Sequence, residues 1–176
     1  ASLQTVVTTL QRASQFGSAR RLVMTNASGF ILPLPLSYAN RISAAKGVTN
    51  VTWANWFGGK YGDNKTFFAQ FAVDPKSYLE MYPEMVVPED QKQAFLRERS
   101  AALIGARLLD KFGWRVGQNI TLQGTIFPGD WTFTIRGVYT PSDPVLNDDM
   151  MLFHHEYLEE RIGRPGIAGW YVVEID

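Results

Sequence analysis

His154 and His155 stand side by side, followed at once by Glu156, and these are the residues most open to a metal or acid–base reading. The run His155-Glu156-Tyr157-Leu158-Glu159 resembles the start of a zinc-protease helix. Its fifth position is Glu, where that chemistry needs a second imidazole one turn on. Adjacent histidines on a helix point about 100° apart and cannot readily chelate one ion, so the pair reads as a solvated helix start. Asp148-Asp149 and Glu159-Glu160 are paired carboxylates, but neighbours in sequence splay apart on a regular element. Asp143 and Asp148 share one loop that lacks the alternating oxygen ligands and the turn glycine of a calcium loop. Cysteine is absent, which removes thiol nucleophiles, thiolate metal sites and disulfides. No nucleophile elbow, phosphate loop or dinucleotide fingerprint occurs. The residues therefore assign no catalytic group, no cofactor site and no metal site.

The aromatic residues give a different kind of candidate. Trp53, Trp56, Phe57 and Tyr61 sit beside Gly58-Gly59. Trp53 alternates with Val51 and reads as core. Trp56, Phe57 and Tyr61 lie where a hairpin turns, and are the candidate contacts for a partner or substrate.

These residues need elements to hold them. Residues 2–15 read as a helix with Leu3, Val6, Val7 and Leu10 on one stripe, ended by Gly17. Arg21 to Thr25 reads as a strand. Ser37 reads as the N-cap of a helix through Tyr38, Ile42 and Ala45. Val48 to Phe57 and Thr66 to Val73 read as a hairpin. Short helices follow at residues 76–81 and 89–99, then a strand at 101–104 and a helix at 105–112 closed by Gly113. Strands are expected at 119–123 and 131–139. The tail, from Met150 onward, reads as strand, helix, strand. The expected fold is α+β: a split β-α-β (ferredoxin-like) subdomain, residues 1–75 plus 140–176, with a second small α/β subdomain, residues 76–139, inserted.

Composition narrows the function classes. In 176 residues, 17 basic and 17 acidic side chains cancel, so no basic field exists to hold nucleic acid. The balance is uneven along the chain: residues 1–62 contain no Asp or Glu and carry six basic residues. Opposite charge toward the two ends suggests that they approach each other. The longest strongly apolar run, Phe30 to Leu36, is broken by Pro33 and Pro35 and falls far short of the ~20 residues of a membrane-spanning helix.

One ordered series is more specific than any of these features. It runs Ala102-Leu103-Ile104-Gly105, Leu108-Leu109, Phe112-Gly113, Val116-Gly117-Gln118-Asn119-Ile120-Thr121-Leu122, then Phe133-Thr134-Ile135-Arg136-Gly137-Val138-Tyr139. Upstream stand Gly47-Val48-Thr49-Asn50-Val51 and the Val73-Asp74-Pro75 step. Over about residues 37–176 this series resembles the periplasmic core domain of MacB-like, FtsX-like ABC transporter permeases. The resemblance implies a non-catalytic loop between two membrane helices on the periplasmic side of a bacterial cytoplasmic membrane. Residues 1–16 would be a helical stalk continuing the first membrane helix, and the last strand would lead toward the second. It implies an ATP-binding subunit reached through membrane helices, a second permease copy, and a lipoprotein or periplasmic protein as further partner. The alternative is an extracytoplasmic ligand-binding or sensory module that uses the aromatic hairpin.

Overall fold

Ala101–Gly105 is buried at every position, which requires a strand covered on both faces. The computed structural model describes residues 9–12 (backbone course only), 20–27, 32–63 and 66–176. In chain order its elements are β1 (Thr9–Arg12), β2 (Arg21–Thr25), β3 (Leu34–Pro35), α1 (Tyr38–Ser43), β4 (Val48–Trp56), β5 (Gln70–Val73), α2 (Pro75–Met81), β6 (Met85–Val86), α3 (Glu89–Arg97), β7 (Ala101–Gly105), α4 (Ala106–Phe112), β8 (Asn119–Gly124), β9 (Gly129–Pro141), β10 (Met151–His154), α5 (His155–Arg161), β11 (Ile167–Ala168) and β12 (Trp170–Ile175).

Among the described residues, ten strands form one sheet in the order β1-β2-β12-β4-β5-β10-β7-β9-β6, with β8 paired to the first part of β9. β5 with β10 and β7 with β9 are parallel; the other pairs of this sheet are antiparallel. β10 joins the two sets of strands, with β5 on one side and β7 on the other. β3 and β11 form a separate small ladder. The fold class is the expected mixture of α and β, built around a sheet.

Alternation along the strands sorts the core into two faces. Ala101, Leu103, Leu152, Val73 and Ala54 point to one face, where Tyr78, Leu79 and Met81 of α2 and Phe95 of α3 cover them. Ala102, Ile104, Met151, Phe153 and Ala72 point to the other, under Leu108 of α4 and Leu158 of α5. Farther along that second face, Tyr171 and Val173 are covered by Tyr38 and Ile42 of α1. Each buried Val, Leu, Ile, Phe or Met among them contributes roughly 1.5–3 kcal/mol, so these faces dominate the energetics.

The helix expected over residues 2–15 is not what residues 9–12 form. They are strand β1, antiparallel to β2, with Thr9 opposite Thr25 and Arg12 opposite Leu22. The rest of the expected stalk lies outside the described residues. The physical reason is in the sequence: Thr5-Val6-Val7-Thr8-Thr9 is an unbroken β-branched run, stiff at χ1 and better suited to a strand.

The C-terminal end of the described chain lies beside the start of β2, whereas Thr9, at the start of β1, lies at the far end of β2 opposite Thr25. The Ile175 amide donates to the carbonyl of Arg20 (3.0 Å), and the Asp176 amide donates to that of Gly47 (2.9 Å).

Candidate functional site

The two histidines are interior residues, and the expected solvated helix start is corrected. His154 closes β10, a strand buried at all of its positions, and His155 opens α5 from the same interior. His154 Nε2 lies 2.6 Å from the carbonyl oxygen of Phe95, and His155 Nε2 lies 2.9 Å from that of Ile167. A neutral ring donating from Nε2 satisfies both contacts. Burial pushes the pKa of each ring down, against the pull of Asp74 on both and of Glu159 on His155. Among the described residues no three metal-binding side chains converge.

The carboxylates are engaged with cations or amides. Asp143 accepts from the Val145 amide at 2.9 Å and shapes its own turn. Asp148 and Asp149 flank Arg107 at 3.3 and 3.4 Å. Glu98 receives Arg136 in a two-pronged contact at 2.6 and 2.9 Å, which holds its carboxyl below the usual range. Arg164 holds Glu156 and Glu160, and the bond to Glu156 lowers that carboxyl too. Arg99 also pairs with Glu160. A polar hollow of about 430 Å³ lies among Glu98, Arg99, Arg136 and Glu160. Its charges pair with one another, and this favours ionised carboxylates that accept hydrogen bonds over acids with a proton to give.

The aromatic candidates separate. Phe57 is fully buried, a correction to its reading as a contact residue. Its ring meets Trp131 at 5.1 Å and Phe153 at 5.2 Å. Two features turn it inward. The Gln70 side chain is buried and holds the segment by accepting from the Gly59 amide and donating to the Gly59 and Phe68 carbonyls. Gly59 has no side chain, and a Cβ there would lie 2.6 Å from the Phe57 ring. Tyr61 is half-buried, edge-on to Phe112 and Trp114. Trp53 packs edge-on to Tyr171, in line with its reading as core.

Trp56 alone of the named residues is exposed, at 37%. It stacks on Phe67, with ring centroids 5.5 Å apart, and Phe67 is 65% exposed. Behind them a row continues from Trp56 to Phe71 and on to Trp170. Two further residues complete the surface. Ile126 meets Trp56 over Gly58: a Cβ there would lie 3.1 Å from both side chains. Val145 faces Phe67 across a cleft of about 340 Å³. Sequence reasoning missed Phe67, Ile126 and Val145. Phe67 had a signal, since Phe68 beside it is core; the other two are brought in from distant loops.

The glycine-punctuated series of residues 102–139 is in place as strand, helix, strand, strand. The family model of the MacB-like periplasmic core domain matches residues 2–174. The chain belongs to that family. Three solved structures share the fold of this MacB-like domain. The periplasmic region of MacB from Actinobacillus actinomycetemcomitans has TM-score 0.61 at 13% identity, covering 89% of this chain and 75% of that one. The extracellular domain of the noncanonic ABC-type transporter YknZ from Gram-positive bacteria has TM-score 0.58 at 15% identity, covering 82% and 74%. A domain of a putative permease from Porphyromonas gingivalis has TM-score 0.52 at 22% identity, covering 81% and 67%. No curated protein matches the chain.

In this MacB-like domain the aromatic surface is remote from the C-terminal end of the chain. β4 carries nine residues from Val48, beside Gly47 and the Asp176 contact, to Trp56. At about 3.3 Å per residue that separates Trp56 from Asp176 by roughly 25 Å.

Proposed function

We infer that this chain is the extracytoplasmic domain of an ABC transporter permease. It is non-catalytic and couples ATP hydrolysis on the cytoplasmic side to movement of a substrate or partner outside the membrane. The nucleotide-binding subunit is reached through membrane helices outside the 176 residues, and a second permease copy pairs with this one. A lipoprotein or periplasmic protein is the further partner. Residues 1–75 with 140–176 form the membrane-proximal part, and residues 76–139 the inserted part. Trp56 and the half-buried Tyr61 belong to the contact surface.

The glycine-punctuated strand, helix, strand, strand series of residues 102–139 carries this reading, since it lies within the residues 2–174 that the MacB-like periplasmic core domain model matches. Among the described residues no helix is long and apolar enough to cross a membrane, which a domain looped out between membrane helices accommodates.

The exposed pair Trp56 and Phe67 favours a second reading, a free-standing extracytoplasmic binding or sensory module. Reading the native gene across both ends separates the two. The permease reading expects one apolar stretch of ~20 codons just before Ala1 and about three after Asp176. A gene that starts near Ala1 and stops near Asp176 would leave the binding module as the function.

A further inference from the structure

Among the described residues, Trp56, Phe67, Ile126 and Val145 are large apolar side chains at 37%, 65%, 57% and 51% exposure, and they converge on one surface. They come from four separate segments: the end of β4, the stretch before β5, the tip between β8 and β9, and the loop after β9. Convergence of exposed apolar groups from distant segments marks an interaction site, whereas singly scattered ones do not.

The relief of the surface limits what fits. Phe67 is a ridge between two hollows. The first, about 340 Å³, is lined by Phe67, Phe71, Val145 and Met150. The second, about 330 Å³, is lined by Phe67, Leu108, Arg107 and Lys111. Asp149 borders both. Each sits at the floor of the size range of small-molecule sites, roughly 300–1,000 Å³, which is room for one or two side chains. Their chemistry differs. The first has an apolar wall of Phe67, Phe71, Val145 and Met150, which suits an aromatic or aliphatic side chain, and a polar rim at Asn147 and Asp149. In the second, Arg107 is held between Asp148 and Asp149, whereas Lys111 has no ion pair among the described residues. Lys111 is thus the group there that can receive an anion.

We propose that this surface binds an extended segment of a partner protein, an apolar side chain entering the first hollow and a carboxylate beside it meeting Lys111 across the Phe67 ridge. A bilayer is set aside because two separate side-chain-sized hollows flank Phe67, and the Asp149 carboxylate borders both. A nucleic acid is set aside by the zero net charge.

The test uses the 176-residue chain as bait for a random peptide library displayed on phage, with Phe67→Ser as counter-selection. Enriched peptides are expected to place an aromatic or aliphatic residue within a few positions of Asp or Glu. Titrated by tryptophan fluorescence, a selected peptide should bind Phe67→Ser at least about tenfold more weakly. Lys111→Glu should shift the preference from acidic to basic peptides. Phe67 and Lys111 are peripheral, so thermal melting should leave both variants folded. If Phe67→Ser melts early, Val145→Ser, in an exposed loop, replaces it. Peptides that bind Phe67→Ser and Val145→Ser as well as the native chain would overturn the proposal. So would enriched peptides without acids. Phe67-dependent sedimentation with phosphatidylcholine–phosphatidylglycerol vesicles, in the absence of peptide binding, would overturn it in favour of a lipid surface. These readouts concern the 176 residues alone, so they fail independently of the gene-level test of the permease reading.

Discussion

A Cβ built on Gly105 would lie 2.2 Å from the carbonyl oxygen of Asp148, the same oxygen that accepts the Arg107 and Leu108 amides at the start of α4. Gly105 itself has an ordinary φ of −65°, so close approach, and not backbone conformation, is what requires glycine. Gly113 is the opposite case, with φ of +64° and open space around it. Gly105→Ala is expected to cost about 3 kcal/mol as backbone-level overpacking, and Gly113→Ala about 1–2 kcal/mol for its left-handed conformation. Thermal melting separates them at roughly 2–4 °C per kcal/mol for a domain of this size; a harmless Gly105→Ala would contradict the packing account. The histidines make a pH prediction. Burial lowers both pKa values, so the unfolded chain binds more protons than the folded one. Stability then rises with pH. The contribution is present above the unfolded value of about 6.5 and is lost as pH falls toward the folded values. Asp74, Glu156 and Glu159 oppose the loss, and Arg99 adds to it. Urea midpoints should fall between about pH 7.5 and 5.5, and less so in His154→Gln, whose amide can still donate to Phe95. An unchanged slope in that variant would remove His154 from the account. The sequence did not reveal this role, because a helix-start histidine looks solvated until the register of β10 is known.

Elements of several residues were legible where glycine, proline and alternation agree. α2 is the clearest: Asp74 caps it by accepting from the Ser77 amide, and Pro75 occupies its first turn. Asp74→Ala should therefore cost about 1 kcal/mol in chemical denaturation, with Asp74→Asn recovering most of it. Equal losses in the two variants would show that the cap is not the source. Ser37 was expected to cap α1 in the same way, yet its side chain makes no such bond. The short strands β3, β6 and β11 were not legible, since two residues hold no period. β1 was misread because Leu3, Val6, Val7 and Leu10 fit a helical stripe as well as the β-branched run fits a strand. The site divides in the same way. Trp56 could be named from its place at a hairpin end. Phe57 was legible in principle as the inward neighbour of an outward Trp56. Ile126 and Val145 were not, because only the tertiary fold carries their loops to the hairpin.

Across the whole molecule, an interior ion pair joins the basic first third to the middle of the chain, not to the acidic residues near its end. Arg21 on β2 makes a two-pronged bond to Glu84, at 2.6 and 2.5 Å, and lies over the Tyr82 ring. Both side chains of the pair are mostly removed from water, at 7% and 16% exposure. Glu84→Ala would remove the two-pronged carboxylate partner of a buried guanidinium and should cost about 3 kcal/mol. A loss below about 1 kcal/mol would put the pair among ordinary surface bridges. The contact ties β2 to the turn after α2, and β2 borders β12, where the described chain leaves the fold. Membership of the MacB-like periplasmic core domain family underlies the central claim, that the domain is displayed outside the cytoplasmic membrane. Its most direct test uses the absence of cysteine from these residues. Lys60→Cys, placed at an exposed position near the aromatic surface in the whole native protein, is treated in intact cells with a membrane-impermeant maleimide, with the unsubstituted protein as background. The account predicts labelling without breaching the cytoplasmic membrane; labelling that appears only after that membrane is permeabilised would contradict it.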